Sequence, residues 1–140
     1  MLGSGAIMVM DETTDIPAAA LTLTKFYAHE SCGKCVPCRE GGTWLEQIMR
    51  RVVEGRGTPR DLELLIEVGE TICPGDFPHA AVPSKGIEAV PFPYRMTTIC
   101  FVGPSAFAPV RSDLTLFREE FEAKVAGNEH PTMIEVAVDV

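Results

Sequence analysis

Three cysteines recur at intervals of three in ESCGKCVPCREGG, residues 30–42: Cys32, Cys35 and Cys38. A C-x2-C-x2-C run places three thiolates on one tight loop. Gly33 gives the backbone room to curl, and Pro37 stiffens the turn before Cys38. Backbone amides in such a loop point toward sulfur, which stabilises negative charge on thiolates and on inorganic sulfide. Three thiols are one short of a four-ligand site, so a remote ligand is required. Two further cysteines, Cys73 and Cys100, each sit in a TIC triplet. Residues 70–83 read ETICPGDFPHAAVP and residues 97–110 read TTICFVGPSAFAPV, a near-repeat that makes both cysteines candidates.

Three loop thiolates plus one remote thiolate are a recurring way to hold a [4Fe–4S] cluster. Structural zinc usually pairs two knuckles, and only one is present here. His29 and His79 do not stand at zinc-finger spacing. A thioredoxin-like redox pair belongs at a strand-to-helix junction of an alternating fold, which this sequence lacks. No GxSxG, HExxH or P-loop is found. The GSG at residues 3–5 lacks the third glycine and following helix of a dinucleotide fingerprint.

The 140 residues suit one domain, or one domain with an appendage. A 46% hydrophobic and 23% charged composition is that of an ordinary globular protein. The net charge of −8 argues against nucleic acid as a partner, because phosphate binding needs a basic surface. Neither a secretory leader nor a membrane-spanning run is expected, so direct membrane insertion is not. Five cysteines without a leader point to a reducing compartment and to metal or redox use rather than a disulfide framework.

The elements that must position the cysteines read as mainly α. GAIMVM, residues 5–10, reads as a short strand. Asp15 caps a helix with Pro17 in its first turn, running to about Tyr27 and delivering the chain to Cys32. A second helix is expected from an N-cap at Thr43, with Trp44, Leu45, Ile48, Met49, Val52 and Val53 on its inner face. Gly55 and Gly57 stop it. Thr58 caps a third helix, with Pro59 at its first position, Asp61 in the first turn, and Leu62, Leu65, Ile66 and Gly69 inward. Residues 74–93 hold five of the eleven prolines and read as a loop. A last helix spans about Ser112 to Val125, capped by Ser112, with Leu114, Phe117, Phe121 and Val125 on one face. The tail PTMIEVAVDV alternates weakly.

FYAHESCGKCVPCREGGTW resembles the iron–sulfur segment of the F-type, NADH- and flavin-binding subunit of respiratory complex I. Related subunits occur in NAD-linked hydrogenases and formate dehydrogenases. LGSGAIMVMDETTD resembles the end of that subunit's ubiquitin-like domain, and TICFVGPSAFAPVRSDLTLFREEFE its TIC segment and final helix. Together the likeness covers roughly residues 2–125.

The resemblance implies a small helical bundle holding a [4Fe–4S] cluster, preceded by a strand left from a ubiquitin-like β-grasp domain. The implied boundaries are 1–28 for that remnant and a connecting helix, 29–126 for the iron–sulfur domain with a proline-rich insertion about 74–96, and 127–140 for a tail. It implies Cys32, Cys35 and Cys38 as the loop ligands. As the fourth it favours Cys100, because PVRSDLTLFREEFE continues as the family does, whereas Cys73 leads into the insertion. The family's glycine- and arginine-rich flavin and NADH loop has no counterpart here, so the chain looks like the C-terminal third of such a protein. FMN and NAD are expected only through a missing domain or a partner chain, and the chain is not expected to oxidise NADH alone. The implied function is electron transfer from reduced flavin to other iron–sulfur clusters in an NADH-quinone oxidoreductase. The implied partners are other peripheral-arm subunits and a separate flavoprotein chain. The implied location is cytoplasmic, on the inner face of the membrane through the complex. Lys34 and Arg39 are placed to tune the cluster's potential or simply to be solvated. The rival readings are a metal-stapled structural domain and a truncated chain without independent activity.

Overall fold

The computed structural model describes residues 7–74 and 97–126. Five helices account for its regular structure: α1 (Ile16–Glu30), α2 (Val36–Val53), α3 (Pro59–Ile72), α4 (Val102–Leu116) and α5 (Arg118–Val125). The proline-rich stretch, from residue 75 to 96, and the tail from 127 lie outside the described residues.

Helix α1 begins as its sequence dictates. The Asp15 carboxylate accepts a hydrogen bond from the Ala18 amide at 3.0 Å, and Pro17 lies in the first turn. The helix runs past Tyr27 to Glu30, so its end meets the cysteine loop directly.

Helix α2 departs from expectation. It starts at Val36 with Cys35 as N-cap residue, not at Thr43, and Cys38 therefore lies in its first turn. Pro37 is tolerated there because the first turn has no intrahelical use for its missing N–H. The Gly41–Gly42 pair continues the helix. A Cβ on Gly41 would fall 2.9 Å from Ile72 side-chain atoms, so glycine is needed for the close approach of α2 to the end of α3. Trp44, expected inward, is 51% exposed, whereas Leu45, Ile48, Met49 and Val52 are buried. Starting the helix earlier leaves the inner stripe in place, with Trp44 at its margin.

Helix α3 follows the sequence closely. Asp61 Oδ2 accepts from the Thr58 amide at 2.8 Å, and Asp61 also pairs with Arg51 of α2. Burial pushes the Asp61 carboxyl up, but the Arg51 guanidinium and the Thr58 N–H outweigh it and hold it below the ordinary 3.8. A lowered folded-state value means that its contribution is complete above the ordinary value and lost as pH falls through the folded one. Asp61→Ala should cost about 2 kcal/mol at pH 7, since it removes a cap and leaves buried donors unpaired. Urea unfolding of the reduced apo-protein reads this loss, and the variant should lose less of its remaining stability than wild type on acidification below pH 3.8.

The single helix expected from Ser112 is two. Helix α4 starts at Val102, ten residues earlier, and Ser112 lies inside it. Pro104 occupies its first turn, and Pro109 is accommodated within it. The chain breaks at Phe117 (φ −122°, ψ 34°) before α5. Leu114, Phe121 and Val125 are buried as expected, but Phe117 at the break is 40% exposed.

Of the strand expected over residues 5–10, residues 5 and 6 lie outside the described residues. Residues 7–10 join no ladder and are exposed, Ile7 at 86%. A strand is stable only with a paired neighbour, and among the described residues there is none.

Helices α1 to α4 form a ring in which α1 packs on α2 and α4, and α3 packs on α2 and α4. Helix α5 closes one end and touches the other four. Leu45, Met49, Val52, Leu65, Ile72, Phe107, Val110 and Phe121 fill the centre. Each buried side chain of this size contributes roughly 1.5–3 kcal/mol, which sets the helices that carry the cysteines.

Candidate metal centre

The loop between α1 and α2 is short and ordered by its own polar groups. Gly33 adopts φ +77°, a left-handed conformation that a side chain would strain. Arg39 Nη1 donates to the Gly33 carbonyl at 2.8 Å, and Arg39 Nε donates to Glu40 at 2.7 Å. Arg39 thus braces the loop from outside.

Residues 97–100 form the facing arm. Thr97 Oγ1 donates to the carbonyls of Thr71 (2.7 Å) and Ile72 (2.8 Å), capping the end of α3. Buried Thr98 donates to the Cys100 carbonyl at 2.8 Å. Close packing of Gly103 on Ile72 and Thr98 completes the anchorage. Cys100 is thereby held immediately before α4.

The two arms enclose a cavity of about 350 Å³ lined by Cys32, Cys35, Cys38 and Cys100, with Glu30, Ser31, Thr98, Ile99 and Val102. The amide of Ile99 donates to Cys35 Sγ at 3.4 Å, joining the arms directly. Ser31 Oγ lies 3.5 Å from Cys38 Sγ. Cys35 and Cys38 sit at the start of α2, and Cys100 lies two residues before that of α4.

Four cysteine thiols lining one cavity are the donor set that a four-iron cluster takes. The donor set and the space therefore fit a four-iron cluster.

Cys73 stands elsewhere. It ends α3 as the C-cap residue, is buried in the hydrophobic core and does not line the cavity. Burial pushes its thiol up, only partly offset by Arg111. His29 pairs with Glu30 at an exposed position, and His79 lies outside the described residues.

Residues 18–77 match the family described as the NADH-ubiquinone oxidoreductase-F iron-sulfur binding region. The matched stretch contains the three loop cysteines and Cys73 and ends before Cys100, whereas the cavity's lining includes Cys100 and not Cys73.

The likeness to curated proteins extends over nearly the whole chain. It is 37% identical over 131 residues to the NADH-quinone oxidoreductase F subunit of Mycobacterium bovis, covering 94% of this chain and 24% of that protein. It is 39% identical over 124 residues to the corresponding F subunit of Rickettsia rickettsii (89% and 24%). The mitochondrial NADH-ubiquinone oxidoreductase 51 kDa subunit of Neurospora crassa is 37% identical over 124 residues (89% and 21%). The chain thus spans about a quarter of the length of these relatives. In structure it is similar to a chain of an NAD+-reducing [NiFe]-hydrogenase in the H2-reduced state, with a TM-score of 0.69 and 30% identity over 89% of this chain and 18% of that one.

Two groups at the centre have little or no signature in the sequence. Ser31 beside Cys38 is legible only as the residue before the first cysteine. The Ile99 amide has no side-chain signature at all.

Proposed function

We propose that this chain is the [4Fe–4S] electron-transfer module of an NADH oxidoreductase, with Cys32, Cys35, Cys38 and Cys100 as the cluster ligands. The observation that carries the reading is the meeting of these four thiols on one cavity, in a chain whose residues 18–77 match the iron-sulfur binding region family. When bound, such a cluster supplies reversible one-electron transfer.

The chain's own contribution is positional and electrostatic. Helix α2 carries Cys35 and Cys38 at its start, and the segment entering α4 carries Cys100. The Ile99 amide lends a hydrogen bond to Cys35, and Ile99 and Val102 add apolar side chains to the cavity's lining. Thr97 and Gly103 fix the Cys100 arm to α3, so the distance between the arms is set by helix packing rather than by the metal.

In this reading, reduced flavin and NAD belong to a domain or partner chain beyond these residues, and a further iron–sulfur protein receives the electron. No helix among the described residues is long and apolar enough to cross a membrane. Association with the inner face of a membrane would accordingly come through the assembled complex.

A poised redox titration of the anaerobically reconstituted chain, followed by EPR, tests the reading. A paramagnetic signal that appears and disappears reversibly with one-electron behaviour supports it. A metal that holds one oxidation state throughout makes the centre a structural staple instead.

A further inference from the structure

Ser31 is the C-cap residue of α1, and its side chain turns into the cysteine loop. Its Oγ lies 3.5 Å from Cys38 Sγ and 3.4 Å from the Gly33 amide nitrogen. An amide N–H can only donate, so Gly33 occupies a lone pair of the hydroxyl oxygen. A thiolate can only accept. The Ser31 hydroxyl proton is therefore aimed at Cys38 Sγ whenever that sulfur is a metal ligand. The donation from Gly33 also polarises the hydroxyl and makes it a better donor. Gly33 reaches this position through its left-handed backbone, so the loop's geometry and the hydrogen bond are one construction.

We propose that Ser31 is a positioning residue that raises the reduction potential of the metal centre by donating its hydroxyl proton to Cys38 Sγ. This rests on the reading of the four cysteines as cluster ligands. The physical reason is differential. Reduction adds negative charge that spreads onto the ligand sulfurs, so a hydrogen bond to sulfur stabilises the reduced form more than the oxidised one. The Ile99 amide acts on Cys35 in the same sense, but no side-chain substitution removes it. Ser31 is the adjustable member of the pair.

The test compares reconstituted wild type with Ser31→Ala and Ser31→Thr, reading both iron content and midpoint potential. Iron in Ser31→Ala should match wild type. At a fixed ambient potential its reduced-to-oxidised ratio should fall roughly tenfold, which for one electron is a lowering of about 59 mV. Ser31→Thr, which keeps the hydroxyl, should stay near wild type. Equal potentials for wild type and an iron-loaded Ser31→Ala overturn the proposal. If Ser31→Ala does not hold iron, Ser31→Thr is compared with Ser31→Val, which matches it in shape and lacks the hydroxyl. A lower potential or poorer iron retention in the valine variant supports the role, and identical behaviour of the two overturns it. A wild-type chain that takes up no iron and sulfide defeats the cluster reading itself, an outcome separate from all of these.

Discussion

Cys100→Ser should abolish stable cluster binding, while Cys73→Ser leaves iron content near that of wild type. Both residues sit in a TIC triplet, and the family match covers Cys73 but not Cys100. Structure separates them. Cys100 lines the cavity with the three loop cysteines, whereas Cys73 lies in the core at the end of α3. Recruiting Cys73 would require unwinding that end of α3, where its amide bonds the Gly69 carbonyl at 2.9 Å and Thr97 caps the last carbonyls. Iron and the visible charge-transfer band after anaerobic reconstitution read the outcome. For Cys100→Ser the expected loss is most of the iron. Cys73→Ser should instead cost about 1–3 kcal/mol of apo-protein stability, the penalty for placing a hydroxyl in an apolar core. Iron loss in Cys73→Ser with retention in Cys100→Ser would reverse the ligand assignment.

The second large effect is expected at Gly69. An added Cβ there would lie inside the van der Waals radii of three ring carbons of Phe107, which is fully buried. Two terms oppose each other. Alanine is the better helix former by about 1 kcal/mol, and Gly69 lies within α3. Against this, forcing a methyl group into a filled core usually costs about 1–3 kcal/mol and sometimes more. An aromatic ring closed in on all sides has little room to yield, so the steric term should win. Gly69→Ala is expected to be destabilised by about 2 kcal/mol, read from the urea midpoint of the reduced apo-protein. Phe107→Ala should cost about 3–5 kcal/mol through the cavity it leaves. The two should be strongly non-additive, because with the ring gone the methyl group at residue 69 becomes harmless. The same contact sets the spacing of α3 and α4, and hence the place of Cys100. Weakened iron retention should accompany the Gly69→Ala loss, and unchanged stability would refute the packing account.

The helix starts at Asp15 and Thr58 were legible because capping is local: a side-chain acceptor, a proline in the first turn and an acid near it act within four residues. The start of α2 was not. Gly41 and Gly42 look like a loop until the Ile72 side chain that requires Gly41 is known, and that contact joins residues far apart in sequence. Helix α4 was hidden by Pro104 and Pro109, whose local preferences are overridden once Phe107 and Val110 are buried against α3 and its neighbours. Residues 7–10 of the strand expected over 5–10 are unpaired for the opposite reason. Local β preference is not sufficient without a partner to pair with. At the centre, the three loop cysteines could be read from spacing alone. The convergence of Cys100 on them depends on Thr97 and Gly103 anchoring to α3, a tertiary fact that no local pattern carries.

Iron and acid-labile sulfide per chain, measured after anaerobic reconstitution of the wild-type protein, test the central claim most directly. Four thiols around one cavity predict on the order of four of each, with a brown colour that bleaches on reduction. About one zinc per chain without sulfide, in a colourless protein, would contradict it.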